Sequence, residues 1–374
     1  MSRPLAFSPA RLLAVLAKEF IQMRRDRVTF GMMIGIPVMQ LFLFGFAINT
    51  DPRHLPALVE MGDTGPVTRA VLAGMAASDY FDFQGLVTSR DEGERALREG
   101  RANFVLVVPP GFERDVRRGV GPDLLLSADA SDPTATGTAV AALSGIVEQA
   151  VSDSLGTPAV APFAITVHRQ FNPEARTATN IVPGLLGIIL SMTMVMITAV
   201  AIVRESERGT METLLATPVR PLEVMAGKIA PYILVGYVQT LVFLLAARLI
   251  FQVPFLGSAW AFFLGFNLYV VVNLALGFLV STVARNQMQA MQISFFTILP
   301  SVLLSGFMFP FAGMPGWAQA IGSAIPATHF VRLTRKVLLK GAGVVEILPD
   351  MAALLAILAV IVTLALRRTR RTLD

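Results

Sequence analysis

The sequence predicts a membrane all-α protein. It would have six transmembrane helices, an N-terminal amphipathic helix, re-entrant helices before the last span, and a small extracytoplasmic α/β domain inserted after the first span. Three observations predict this. Hydrophobic residues make up 54% of the 374 and charged residues only 15%, against about 25% charged in an ordinary soluble domain. Charge is nearly absent from long blocks and dense between them, the pattern of membrane spans joined by wet loops. Between residues 51 and 176 charges and turn residues return over a stretch of ordinary domain size.

The elements follow in chain order. Residues 8–27 read as an amphipathic helix that Ser8 caps and Pro9 opens. Leu12, Leu13, Leu16, Phe20 and Met23 share one face, and Arg11, Lys18, Gln22 and Arg25 another. Such a helix suits the headgroup region, lying in the plane of the membrane. Val28–Thr50 carries no charge and is long enough to cross about 30 Å of hydrocarbon. Arg24, Arg25 and Arg27 precede it, which places the N-terminus in the cytoplasm. Residues 1–50 thus form the entry unit.

Within 51–176, Leu55–Val59, Phe81–Val87, Phe104–Val108, Leu124–Leu126 and Ala164–Val167 read as strands. Pro66–Ala77, Asp91–Glu99, Gly111–Arg118 and Thr134–Leu155 read as helices between them. Alternating strand and helix predicts a small α/β domain. After one span it lies outside the cytoplasm, in the periplasm of a cell with two membranes. Asp129, Asp132 and Asp153 offer no catalytic constellation and read as solvated.

Residues 177–374 carry the remaining spans, near 179–203, 229–250, 259–283, 289–311 and 346–366. Six spans put Arg204, Arg208, Arg220, Lys228 and Arg285 on the cytoplasmic side, together with the tail cations Arg367, Arg368, Arg370 and Arg371. Residues 312–345 resist this scheme. They hold Arg332, Arg335, Lys336 and Lys340 yet fall outside, and Pro315, Gly316, Gly322 and Pro326 interrupt the stretch before those cations. We read this segment as one or two re-entrant or interfacial helices, shielded by protein or water. The alternative is an extra crossing with an external C-terminus, which the arginine-rich tail opposes.

Several function classes are excluded or disfavoured. There is no cysteine, so disulfides, thiolate metal sites and cysteine nucleophiles are excluded. The net charge of +5 sits beside apolar blocks, so anionic lipid and topology account for it and nucleic acid does not. No phosphate loop, dinucleotide fingerprint or zinc-ligand spacing occurs. His54, His168 and His329 are scattered and read as loop or packing residues. The spans hold almost no ionisable groups, only Arg248 and Asp350 near their ends, so a carrier driven by its own ion pathway is disfavoured. The energy for transport would come through a partner.

The most informative stretch is the loop after the second span, about residues 204–218. It reads Arg204-Glu205-Ser206-Glu207-Arg208-Gly209-Thr210-Met211-Glu212-Thr213-Leu214-Leu215, and Pro218 and Pro221 follow. A short charged helix stopping before Pro218 could dock in a groove of another protein and pass on a rigid-body movement. This segment resembles the coupling-helix region of type-2 ABC transporter permeases. Leu304-Ser305-Gly306-Phe307-Met308-Phe309-Pro310, then Met314-Pro315-Gly316-Trp317 and Ile325-Pro326-Ala327-Thr328-His329-Phe330, resemble that family's fifth span and re-entrant helices. The domain between the first two spans resembles the drug-exporter-like subgroup.

The resemblance implies a membrane subunit of an ATP-driven exporter in the bacterial inner membrane, with both termini cytoplasmic and no catalytic or metal site of its own. Two permease chains, identical or related, would sit above two copies of a separate ABC ATPase subunit. ATP and Mg would be bound by that subunit and no cofactor directly by this chain. Arg204, Glu205, Glu207, Arg208, Gly209, Thr210 and Glu212 would contact it. The substrate path would run along the second and fifth spans past Met192, Met194, Met196, Met291, Phe295 and Phe296, adaptable apolar side chains suited to drugs, lipids or other amphiphiles. Ser305, Gly306, Pro310, Pro315 and Pro326 would shape the re-entrant region. The external domain is open to three roles: receiving substrate, meeting a periplasmic adaptor, or pairing with its copy. A membrane-anchored receptor or assembly factor is the competing reading.

Overall fold

The computed structural model describes residues 53–131, 133–155, 164–207 and 221–369. The amphipathic helix expected at 8–27 and the first span expected at Val28–Thr50 lie outside the described residues.

Five strands form one mixed sheet: β1 (Leu55–Met61), β2 (Phe81–Val87), β3 (Phe104–Val108), β4 (Asp123–Asp129) and β5 (Ala164–Gln170), in the order β2-β1-β3-β4-β5. β1 runs parallel to β2 and β3, β4 is antiparallel to β3, and β5 is parallel to β4. β3, Phe-Val-Leu-Val-Val, is an unbroken apolar run because both its faces are covered. Leu55, Val59, Phe104, Leu106, Leu124 and Leu126 point to one face. There they meet Val67, Val71 and Met75 of α1 (Pro66–Ala77) and Leu143, Val147 and Val151 of α4 (Pro133–Leu155). Leu58, Val87 and Val105 point to the other face and meet Ala96 and Leu97 of α2 (Arg90–Glu99). The short α3 (Phe112–Arg117) adds Phe112 and Val116 to the first face.

α2 shows why its boundaries fall where they do. The Ser89 side chain accepts from the Glu92 N–H, and the Glu92 carboxylate accepts from the Thr88 N–H at 2.9 Å, so two orphan donors are satisfied reciprocally. Gly100 closes the helix at φ 73°, a left-handed conformation that costs glycine little.

The remaining helices are α5 (Thr177–Glu207), α6 (Pro221–Leu249), α7 (Ala259–Ser281), α8 (Gln287–Leu304), α9 (Gly316–Ser323), α10 (Pro326–Lys340) and α11 (Val344–Thr369). Four are long and apolar enough to cross a membrane: α5, Tyr232–Leu249 of α6, α7, and Val344–Arg368 of α11. α5 and α7 are about half buried, whereas α6 and α11 expose most of their surface. α5 and α7 therefore form the centre of the helical layer.

α5 and α7 meet through a buried polar chain. Ser191 and Asn273 are joined at 2.6 Å, the Asn273 amide donates to the Tyr269 carbonyl, and the Tyr269 hydroxyl donates to the Gly187 carbonyl at 2.8 Å. The Tyr269 ring stacks on Phe330 of α10 with centroids 4.0 Å apart. α10 thus packs against both central helices.

One feature departs from the sequence reading. The helix expected to run to residue 311 stops at Leu304. Gly306 turns the chain at φ 79° and Pro310 is buried beyond it, so the apolar run continues without helical geometry. The segment 312–345 contains two helices, α9 of 8 residues and α10 of 15. At 1.5 Å per residue they span roughly 12 and 22 Å, each short of a ~30 Å hydrocarbon core. Pro326 occupies the first turn of α10, where its missing N–H costs nothing. At the other end the N–H groups of Leu256 and Gly257 donate to the carbonyls of Leu338 and Val337 at 3.1 and 2.9 Å.

Candidate functional site

The end of α5 farthest from the sheet domain carries Arg204, Glu205 and Glu207 in its last turn. Arg208, Gly209, Thr210 and Glu212 lie outside the described residues. The described part of the segment is anchored to the start of α8 at Gln287. Gln287 donates its backbone N–H to Glu207 at 3.0 Å and its side-chain amide to the same carboxylate at 2.5 Å. Its carbonyl accepts from Arg204 Nε at 3.1 Å. Asn286 caps α8 by accepting the Gln289 N–H. Sequence reasoning missed Gln287. A polar residue opening an apolar helix reads as a solvated helix end, and its partners are 80 and 83 positions away.

Just inside this anchor lies a cavity of about 330 Å³ between α5, α6 and α8, within the usual size range of ligand pockets. Met196, Val200, Arg204, Tyr232 and Met291 line it. Two residues expected on the substrate path, Met196 and Met291, thus share one cavity with Arg204, the first residue of the charged segment. The other expected path residues do not join them. Met192 and Phe295 are exposed at 40% and 54%, Phe296 is half-buried, and Met194 is fully buried in the packing of α5. The cavity's lining is apolar apart from Arg204 and Tyr232.

The opposite end of the helical layer, next to the sheet domain, holds the residues expected in the re-entrant region. Ser305 ends α8 and is 1% exposed, and Pro315 precedes α9. The Gly306 carbonyl accepts from Arg335 Nη1 at 3.0 Å. Arg335 Nη2 also donates to Asn180 Oδ1 of α5 at 2.8 Å. Lys336 Nζ donates to Asp350 Oδ2 at 2.9 Å, and His329 lies 3.9 Å from the other oxygen of that carboxylate. Arg332 lies 4.2 Å over the Phe311 ring. Asp350 is 4% exposed and ion-paired with its neighbours. This corrects the expectation that it reaches out of a span end. Asp129, expected to be solvated, is 5% exposed and paired with Lys340. The four cations of α10 thus each contact groups inside the protein, Arg332 a ring face, Arg335 carbonyl and amide oxygens, and Lys336 and Lys340 a carboxylate each.

A second cavity, about 580 Å³, opens between the sheet domain and the chain leading into α9. Arg53, His54 and Asp82 line one side, and Ala312, Met314 and Gln319 the other.

Comparison with known proteins fits this architecture. Residues 27–367 match the family described as ABC-2 family transporter protein. The chain is 29% identical over 380 residues to the probable multidrug ABC transporter permease YbhS of Escherichia coli, with all of both chains covered. It is 32% identical over 292 residues to the inner membrane transport permease YhhJ of the same species, covering 76% of this chain and 77% of that one. To the probable multidrug ABC transporter permease YbhR it is 26% identical over 334 residues, covering 89% and 91%. No solved structure matches the chain significantly. With 27–367 matched, apolar helices of spanning length in place and a mixed-sheet domain between the first expected span and α5, the chain belongs to the ABC-2 family of transporter proteins, as a membrane permease.

Proposed function

We propose that the chain is the membrane-spanning subunit of an ATP-driven exporter, one of a pair of permease chains above two copies of a separate ATPase subunit that binds ATP and Mg. One observation carries this reading: the α5–α8 anchor at Gln287. The charged segment that would dock on the ATPase begins in the last turn of α5, and Gln287 ties that turn to α8. A push on the segment would move both helices that flank the 330 Å³ cavity. The cavity's apolar wall with its one cationic residue, Arg204, suits a hydrophobic or amphiphilic substrate, entering from the cytoplasm or inner leaflet. Two relatives named as probable multidrug permeases support that substrate class.

In this reading residues 1–50 hold the amphipathic helix and the first span. α5, α6, α7, α8 and α11 supply the other five, and α9 and α10 dip in from the outside and return. Residues 51–176 lie outside the inner membrane, both termini lie in the cytoplasm, and the 580 Å³ cavity beside the outer domain offers a release route.

The test is Glu212→Arg in the permease produced together with its ATPase subunit. Membrane insertion should be unchanged, while efflux of a lipophilic fluorescent dye should fall at least tenfold. Undiminished efflux at normal membrane levels would remove the coupling role of this segment.

A further inference from the structure

Three cations of α10 bind three different parts of the chain. Arg335 holds Asn180 of α5 and the Gly306 turn. Lys336 holds Asp350 of the last helix. Lys340, one turn further on, leaves the helical layer and enters the sheet domain. Its ammonium donates to Asp129 at the end of β4 and to the Leu97 carbonyl at the end of α2, the latter at 3.1 Å. It also lies 5.3 Å from the Phe171 ring. The Lys340 and Asp129 side chains are 6% and 7% exposed, so both charges are almost fully removed from water.

A buried ion pair is poor evidence for stability. Desolvation cancels much of its attraction, and apolar substitutes of similar volume often serve as well. What a pair of this kind adds is geometry, because an ammonium held by a carboxylate, a carbonyl and a ring face fixes position in a way that apolar contact does not. The neighbouring contacts across this boundary involve small or apolar groups: Ala312 against the sheet-domain core and Phe171 between the two layers.

We propose that the Lys340–Asp129 pair is a strut that makes the sheet domain follow α10, so that the domain travels with the transport helices as one body. Lys340 is then a positioning residue. It touches no substrate, but it converts movement of α5 and α11, to which α10 is bound, into movement of the outer domain. Only the travelling rests on the exporter reading above; the strut itself is a property of this chain alone.

The absence of cysteine makes the test direct. Glu148→Cys, exposed on α4, and Val345→Cys, 74% exposed on α11, are spin-labelled in the permease–ATPase complex. Their distance distribution is then recorded nucleotide-free and vanadate-trapped. With the labelled chain diluted into excess cysteine-free chain, so that one permease per complex carries labels, the parent should give one narrow distance in both states. Lys340→Met combined with Asp129→Asn removes both charges without stranding either, and should at least double the width of the distribution. The same double variant should lower ethidium efflux several-fold while ATP hydrolysis persists. The charge swap Asp129→Lys with Lys340→Asp should narrow the distribution again. An unchanged width in the double neutral variant overturns the strut. A broadened distance with undiminished efflux overturns its role in transport. If the parent complex itself fails to export ethidium, the exporter reading fails for that probe, and the label distances still decide the strut.

Discussion

Gly277 on α7 lies where α5 and α7 approach most closely among the glycines of that pair, and Gly277→Ala should destabilise the helical layer. A Cβ there would lie 2.8 Å from both the Thr198 Cβ and the Val195 carbonyl oxygen, and 3.2 Å from the Val195 Cα. Unstrained carbon contacts sit near 3.5–4.0 Å, so the two helices must part by roughly 0.7 Å. Two of the three atoms are backbone and cannot rotate away. Overpacking of this kind costs about 1–3 kcal/mol, and the better helix propensity of alanine returns about 1 kcal/mol. With backbone atoms unable to give way the cost lies in the upper half of that range, about 2–3 kcal/mol, and the net loss is about 1–2 kcal/mol, which corresponds to a fall of a few degrees in Tm. Gly145→Ala on α4 is the control, because nothing lies within 4 Å of a Cβ added there. It should keep the propensity gain and raise stability slightly. Fluorescence-detected size-exclusion melts of the detergent-solubilised permease would measure both. A Gly277→Ala variant as stable as its parent, with Gly145→Ala behaving as expected, would refute the packing argument.

Gln287→Ala deletes two exposed side-chain hydrogen bonds, to Glu207 and from Arg204. At about 0.2–1 kcal/mol each, substrate exported per ATP should fall roughly twofold to thirtyfold with membrane levels unchanged, and Gln287→Glu, facing Glu207, should be worse. Equal export per ATP in all three proteins would show that the anchor carries no coupling. In the sheet domain the hydrogen bonds from the Thr88 backbone, then its hydroxyl, hold the Glu92 carboxyl below its ordinary pKa. A lowered folded-state pKa gives stability that is present above the unfolded value and lost as pH falls through the folded one. Amide exchange at Thr88, corrected for its intrinsic pH dependence, should therefore lose protection under acid, and Glu92→Gln should abolish that pH dependence.

The sheet domain was the most legible part of the chain. Short runs such as Phe104–Val108 are bounded by turn residues, and their strand character comes from the chain's own apolar pattern. The ends of α5, α7 and α11 were legible within a few residues for the same reason. The end of α8 was not. Residues 305–311 stay apolar past Leu304, so composition continues where geometry stops, and only Gly306 and Pro310 hint at the turn. Pairings across the fold were hidden as well. Asp129 looked solvated because nothing near it in sequence answers its charge, and its partner is 211 residues away. Asp350 looked like a snorkelling end group because Lys336 lies in a different helix. The charged segment after α5 was visible as a motif, whereas the residue that ties it to α8 follows from tertiary contact alone.

The Lys340–Asp129 pair also implies an order of assembly. At roughly 5–20 residues per second, the 211 residues between the two take on the order of ten to forty seconds to synthesise. The last strand of the sheet domain ends at Gln170, so the domain has most of that interval to close its core before Lys340 emerges. A lysine arriving with no carboxylate waiting reads to the insertion machinery as a signal to stay inside. In the proposed topology Asp129, already set at the end of β4, gives that charge somewhere to go on the far side. With the sheet domain outside, as the exporter reading has it, the carboxylate that positions the finished domain would also let a cationic helix settle where the charge rule alone would not place it.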